Sequence, residues 1–178
     1  MLGDNETVSE SELWDLTDAQ GNRSGLTHRR RALDWPAGYF HIVAATCVVR
    51  ADNRVLLTKR AASKDYPLTW EFPAGSALTG ETSVEAAIRE LREETGLSAE
   101  HPKMRFAGRF TEPRALLDLF VVRIVDTSAL SLDPEEVSDA EWVTLDEVAR
   151  RRKAGIMAAP WEPRLAALWS YLVELVDS

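Results

Sequence analysis

One string of fixed spacing constrains this 178-residue chain more than any other feature. It runs Gly75, Glu81, then Arg89-Glu90-Leu91, Glu93-Glu94 and Gly96-Leu97, with five residues between the first pair and seven before Arg89. Thr82 followed three positions on by Glu85 has the form of a capping box. Gly96 suits the left-handed position just past a helix C-terminus. The spacing therefore predicts a helix between Thr82 and Gly96, with Val84, Ala87, Ile88, Leu91 and Thr95 recurring on the face that packs against a sheet.

The side opposite that face is expected to carry the chemistry. Glu90, Glu93 and Glu94 stand at i, i+3 and i+4, so they are neighbours on a helix surface. Like charges so placed destabilise a helix and favour protonation. A hard divalent cation relieves that repulsion, because Mg2+ takes carboxylate oxygens and shares them with substrate phosphates. Glu85, Arg89 and Glu93 also fit an ordinary i, i+4 charge ladder. A ladder needs neither Gly75, Glu81 nor Gly96 at a set distance, and the metal-holding reading is the one adopted.

This string resembles the Nudix box of the Nudix hydrolase superfamily and matches that pattern at every position. The resemblance implies an α/β fold, an alpha/beta/alpha sandwich around a mixed sheet. It also implies metal-assisted hydrolysis of a nucleoside diphosphate linked to another group, with Mg2+ or Mn2+ as cofactor. By the same likeness Glu90, Glu93 and Glu94 are metal ligands, with Glu90 doubling as a general base. Arg89 orients the glutamates through an ion pair with Glu81, and the backbone carbonyl at Ala74 or Gly75 completes the coordination. Several Nudix hydrolases use a further Glu shortly before a late tryptophan, and Glu136, six positions before Trp142, occupies a similar place. Glu135 and Asp133 compete for that role, and an exposed acidic turn is the alternative.

Length and composition fit one globular domain with a sizeable core, 45% hydrophobic and 28% charged. A net charge of -8 argues against a groove for a nucleic acid polymer and leaves a small-molecule diphosphate as the expected partner. A homodimer is left open. The one cysteine, Cys47, forms no intramolecular disulfide, and its apolar run marks it as a buried structural thiol. No apolar stretch is long enough to span a bilayer and the first twelve residues are polar, so a cytoplasmic location is expected, with no membrane partner.

Along the chain, residues 1–11 are expected to be a flexible tail and residues 12–178 a single domain opening on a hairpin around Asp18 to Asn22. Strands are expected at 40–49, 54–58, 103–110, 116–125 and 141–143, the 116–125 strand being central because it is apolar on both faces. Helices are expected at 145–153 and 163–176, and residues 59–70 read as a loop.

A second, narrower likeness covers most of the chain. The leader around Trp14, the Tyr39-Phe40-His41 stretch, the loop from Lys59 to Trp70 and the segment from Glu135 to Trp142 together resemble the isopentenyl-diphosphate isomerase branch of the superfamily. That branch uses a cysteine and a metal-binding histidine just after the tryptophan, and glutamates on a later strand. Here the loop from Trp70 to Leu78 has no Cys and no His, and the strand around Asp118 has no Glu. His28 and His41 have no recognised metal spacing. The chain therefore reads as an isomerase-like scaffold with hydrolase machinery, the alternatives being an isomerase or a ligand-sensing Nudix domain with little turnover.

The isomerase branch also holds its substrate diphosphate with an Arg and a Lys at the spacing of Arg60 and Lys64. Those two are the expected substrate-binding residues, the Arg by a bidentate fork and the Lys as a mobile point charge. The basic run from His28 to Arg31 is a further candidate for an anion or an ordinary solvated strand end. Trp14, Trp35, Tyr39, Phe40, Trp70 and Phe72 are placed either to stack a base or to pack in the core.

Overall fold

Strand β3 (His41–Val49) organises the molecule because its side chains alternate between two apolar layers. Ala45, Cys47 and Val49 join the layer under the C-terminal helix, whereas Ala44 and Val48 join the layer under the helix of the Gly75–Leu97 string. The computed structural model describes residues 12–30, 32–125 and 130–178. The expected tail at 1–11 and Arg31 fall outside the described residues.

The chain opens on the hairpin β1 (Leu13–Thr17) and β2 (Arg23–Arg29), then enters β3 and β4 (Val55–Arg60). Two short strands, β5 (Trp70–Glu71) and β6 (Ala74–Ser76), follow where a loop was expected, and β6 pairs along the first half of β3. Helix α1 (Ser83–Thr95) comes next, then β7 (Arg105–Thr111), β8 (Ala115–Arg123), β9 (Val137–Val143), α2 (Leu145–Lys153) and α3 (Trp161–Asp177). Strand β9 is longer than its apolar end at 141–143 indicated, because its outer half is polar and pairs with β4.

The sheet is mixed: β3 and β8 run parallel in full register, and the other pairings are antiparallel. Strand β8 lies between β3 and β7, with all but Arg123 buried. Its run of apolar residues therefore serves both layers. Helix α3 covers one face through Trp161, Leu165, Leu168 and Leu172, and α1 covers the other through Ala86, Ala87 and Leu91. Each fully buried Leu contributes roughly 1.5–3 kcal/mol. The architecture is the expected alpha/beta/alpha sandwich.

Helix α1 is closed at both ends as the sequence predicts. The Thr82 side chain accepts from the Glu85 N–H, Glu85 reaches back to the Thr82 N–H at 2.8 Å, and Gly96 caps the far end at φ 75°. A Cβ on Gly96 would also meet Ser131 at 2.9 Å. The faces of α1 differ from expectation in one respect. Val84 and Ile88 are only half-buried, while Glu94 is 5% exposed and turned into the protein. Position 94 lies between the apolar positions 91 and 95, so the approach of the sheet there takes a carboxylate inside.

The hairpin is tied to the loop before α1. Thr79 N–H donates to Leu13 O at 2.9 Å, Gly80 N–H to Asp15 Oδ2 at 2.9 Å, and Arg23 to Glu81 O at 2.7 Å. These contacts fix the loop that carries Glu81.

Candidate active site

Strand β6, the loop that carries Glu81 and α1 meet around Arg89, whose guanidinium donates to Ser76 O and to the carboxylates of Glu81, Glu90 and Glu93. Nε donates to Glu81 Oε1 at 2.7 Å and Nη2 to Glu81 Oε2 at 2.9 Å, a bidentate pair. Nη2 also reaches Ser76 O at 3.0 Å, and Nη1 bridges Glu90 at 2.7 Å and Glu93 at 3.1 Å. Burial by itself would lower the Arg89 pKa, but Glu81 and Glu90 more than offset it and raise it. Burial likewise pushes Glu81 up, and Arg89 with the Leu78 N–H wins and holds it below its ordinary value. Arg89 is thus a fixed hub that sets the directions of Glu90 and Glu93.

Beside this hub opens a cleft of about 250 Å³. Its acidic lining is Glu12, Glu71, Glu90, Glu93, Glu94, Asp133 and Glu136, and its basic lining is Arg30, Arg60, Lys64 and Arg89. The three box glutamates enter it differently. Glu93 is exposed, Glu90 is half-buried, and Glu94 is buried with an Oε2 that has no hydrogen-bond partner. Burial pushes the Glu90 carboxyl up against the pull of Arg89. Burial pushes Glu94 well up, reinforced by the charges of Glu71, Glu90 and Glu136. A buried acceptor left unpaired costs about 1–3 kcal/mol, more when charged.

The far wall comes from the end of β4, its loop and the turn before β9. Arg60 Nη1 donates to Glu71 Oε1 at 2.5 Å and Nε to Asp65 O at 2.5 Å. Burial raises the Glu71 carboxyl, and Arg60 opposes that rise. Lys64 pairs with Glu136. Of the three late acids, Asp133 and Glu136 line the cleft, while Glu135 is exposed outside it. Arg30 pairs with Glu12 at 2.8 Å at the rim, which places one arginine of the His28–Arg31 run at the cleft; Arg31 is not among the described residues.

The donor set suits a hard divalent cation. It offers carboxylate oxygens, the unpartnered Glu94 Oε2, and a backbone at Gly75 with no Cβ, so that the Glu90 carboxylate lies directly against it. Among the described residues no three such side chains converge into a closed cage, and Arg89 holds both Glu90 and Glu93.

The expected aromatic candidates do not line this cleft. Phe72 packs edge-to-face on Trp161, and Trp70 lies under Arg151 at 4.3 Å. Trp14 stacks on His41 at 4.2 Å, and Trp35 meets both His28 and His41. Burial, with His28, Arg30 and Arg164 nearby, lowers His41 to about 4. Glu12 and Glu71 are the charged lining residues for which no sequence motif indicated a role. Glu71 had one signal: it is the only charge in the stretch from Trp70 to Pro73, which marks a buried charge in need of a partner.

Comparisons with known proteins agree with this architecture. The Nudix domain family matches residues 40–165. An uncharacterized Nudix hydrolase of Listeria monocytogenes is 36% identical over 149 residues, covering 81% of this chain and 86% of that protein. An isopentenyl-diphosphate delta-isomerase of Escherichia coli is 32% identical over 154 residues, covering 82% of each. A Deinococcus radiodurans protein of known crystal structure superposes with a TM-score of 0.73 at 20% identity, covering 89% of this chain and 99% of that one. With the box intact on a sandwich of this topology, the chain belongs to the Nudix family.

Proposed function

We propose that this chain hydrolyses a diphosphate bond in a nucleoside diphosphate-linked or related phosphorylated metabolite, using Mg2+ or Mn2+ held by Glu90, Glu93, Glu94 and the backbone at Gly75. The observation that carries this reading is the buried, unpartnered Glu94 Oε2, set in one cleft with Glu90 and with the cations Arg60 and Lys64. An acceptor left so exposed to charge repulsion is at rest only when a cation or proton reaches it. The chemistry such a metal supplies is activation of water and neutralisation of phosphate charge.

The chain's own residues do the rest. Arg89, clamped by Glu81, keeps Glu90 and Glu93 in fixed directions. Arg60 and Lys64 draw the anionic group to the opposite wall. Water oxygen bonds to phosphorus, the bridging P–O bond breaks, and its electron pair leaves with the departing phosphate. The water proton passes to a cleft carboxylate, with Glu90 and Glu136 the two assigned to that role.

The isomerase relative keeps a second reading in play. Against it, Cys47 is fully buried in the layer under α3, on the sheet face away from α1. Burial also raises its thiol pKa. The test is a panel of diphosphate-containing metabolites, isopentenyl diphosphate among them, incubated with Mg2+ and assayed for phosphate or nucleotide release and for double-bond isomerisation. Release from one substrate class, abolished by chelator and by Glu93→Gln, is the expected result. Isomerisation without release would replace this reading.

A further inference from the structure

Arg60 ends β4, Lys64 stands in the loop that follows, and each meets a cleft carboxylate, yet the two pairs differ in kind. The side chains of Arg60 and Glu71 are 17% and 11% exposed, and the guanidinium is held a second time by Asp65 O. Planar and gripped from two sides, it is fixed in place. The side chains of Lys64 and Glu136 are 20% and 42% exposed and joined by one contact between a point charge and a carboxylate. A flexible stem with no geometric demand lets that contact be exchanged for another of like charge.

The backbone keeps Lys64 and Glu136 within mutual reach. Ala61 N–H donates to Glu136 O at 2.9 Å, and Lys64 N–H donates to Ala61 O at 3.2 Å. Ser138 Oγ donates to both Lys59 O and Arg60 O at 3.2 Å. The turn that presents Glu136 is closed by its own N–H and that of Val137 on Asp133 O, at 3.1 and 2.7 Å. Loop and turn therefore move together, and only the two side chains have freedom to part.

We propose that Lys64 is an exchange cation: an incoming diphosphate takes it from Glu136, so that one event both binds the anion and releases the Glu136 carboxylate into the cleft. Arg60 stays on Glu71 throughout and contributes a fixed positive wall. This rests on the diphosphate reading above and goes beyond it, because it makes Glu136 a competitor of the substrate until the substrate arrives.

The experiment is calorimetric titration of methylenediphosphonate, a non-hydrolysable diphosphate, into metal-free parent, Glu136→Gln, Lys64→Met and the double variant, with far-UV circular dichroism confirming each fold. Removing the competitor should tighten binding about fivefold or more in the parent background and less than about twofold in the Lys64→Met background, the signature of coupled neighbours. Lys64→Met alone should weaken binding. Equal tightening in both backgrounds reports a general charge effect and overturns the exchange, as does no tightening at all. A parent that hydrolyses a diphosphate with Mg2+ yet does not bind the diphosphonate also overturns it while sparing the hydrolase reading. A parent that hydrolyses no diphosphate removes both.

Discussion

The Glu90 carboxylate occupies the space where a side chain at position 75 would begin: a Cβ built on Gly75 would stand 2.1 Å from Glu90 Cδ. The glycine of the Nudix box is thus a packing requirement of Glu90, the glutamate that follows Arg89. Arg89 Nη1 fixes that glutamate at 2.7 Å, so it cannot swing aside at no cost. Gly75→Ala should displace Glu90 and lower kcat by about tenfold or more, a loss of about 1.4 kcal/mol of transition-state stabilisation. Parent-level turnover and unchanged magnesium affinity in Gly75→Ala would show that the contact has no bearing on catalysis.

Glu94 predicts opposite effects of one substitution on the apo and metal-loaded protein. Glu94→Gln removes a buried charge that its neighbours repel, so the apo variant should melt no lower than the parent. Saturating Mg2+ should raise the parent's Tm, because a ligand at a hundred times its Kd stabilises by about 2.7 kcal/mol, and should leave the variant nearly unmoved. Thermal melts with and without Mg2+ decide it. Equal magnesium shifts in both proteins would remove Glu94 from the site.

Local signals account for what was legible in the sequence. The caps of α1 at Thr82, Glu85 and Gly96 involve residues within a few positions, and each stands where its chemistry predicts. The alternation of β3 and the two-sided apolar character of β8 placed the sheet for the same reason. Burial of Glu94 was not legible, because helical spacing groups it with Glu90 and Glu93 until the sheet is docked. The cleft's far wall was only half legible: Arg60, Lys64 and Glu136 stand out in the sequence, but Glu71 does not, and the pairing of Lys64 with Glu136 joins a loop to a turn over seventy residues away. Short β5 and β6 escaped notice because two or three residues carry no period, and pairing with β4 and β3 is what defines them.

That pairing changes what an Arg60 variant reports. Arg60→Ala strands Glu71, 8% exposed, without its cation. Breaking one side of a largely buried pair costs on the order of 3–5 kcal/mol. The variant should therefore melt well below the parent, in addition to any loss of substrate affinity. Arg60→Met combined with Glu71→Gln should recover most of the Tm while leaving KM for the diphosphate substrate raised. If Arg60→Ala melts with the parent, the pair does not hold this wall together.

The stack of Trp14 on His41 ties the hairpin to β3, and its stability should depend on pH in a defined window. His41 falls from its ordinary value of 6.5 to about 4 in the folded protein, chiefly through burial. The unfolded chain then binds more protons than the folded one between those values, so stability rises with pH across the window. The His41 contribution is complete above pH 6.5 and is lost as pH falls toward 4, by roughly 3 kcal/mol over the full shift. Glu90 and Glu94, raised by burial, act in the opposite sense, so the comparison must be between proteins that share them. His41→Phe keeps an aromatic ring for Trp14 and removes the titrating group. Urea unfolding at pH 7 and pH 5 should show the parent losing more stability than His41→Phe over that interval. Identical losses in the two proteins would mean that His41 titrates alike in the folded and unfolded chains, and the hairpin would have no such dependence.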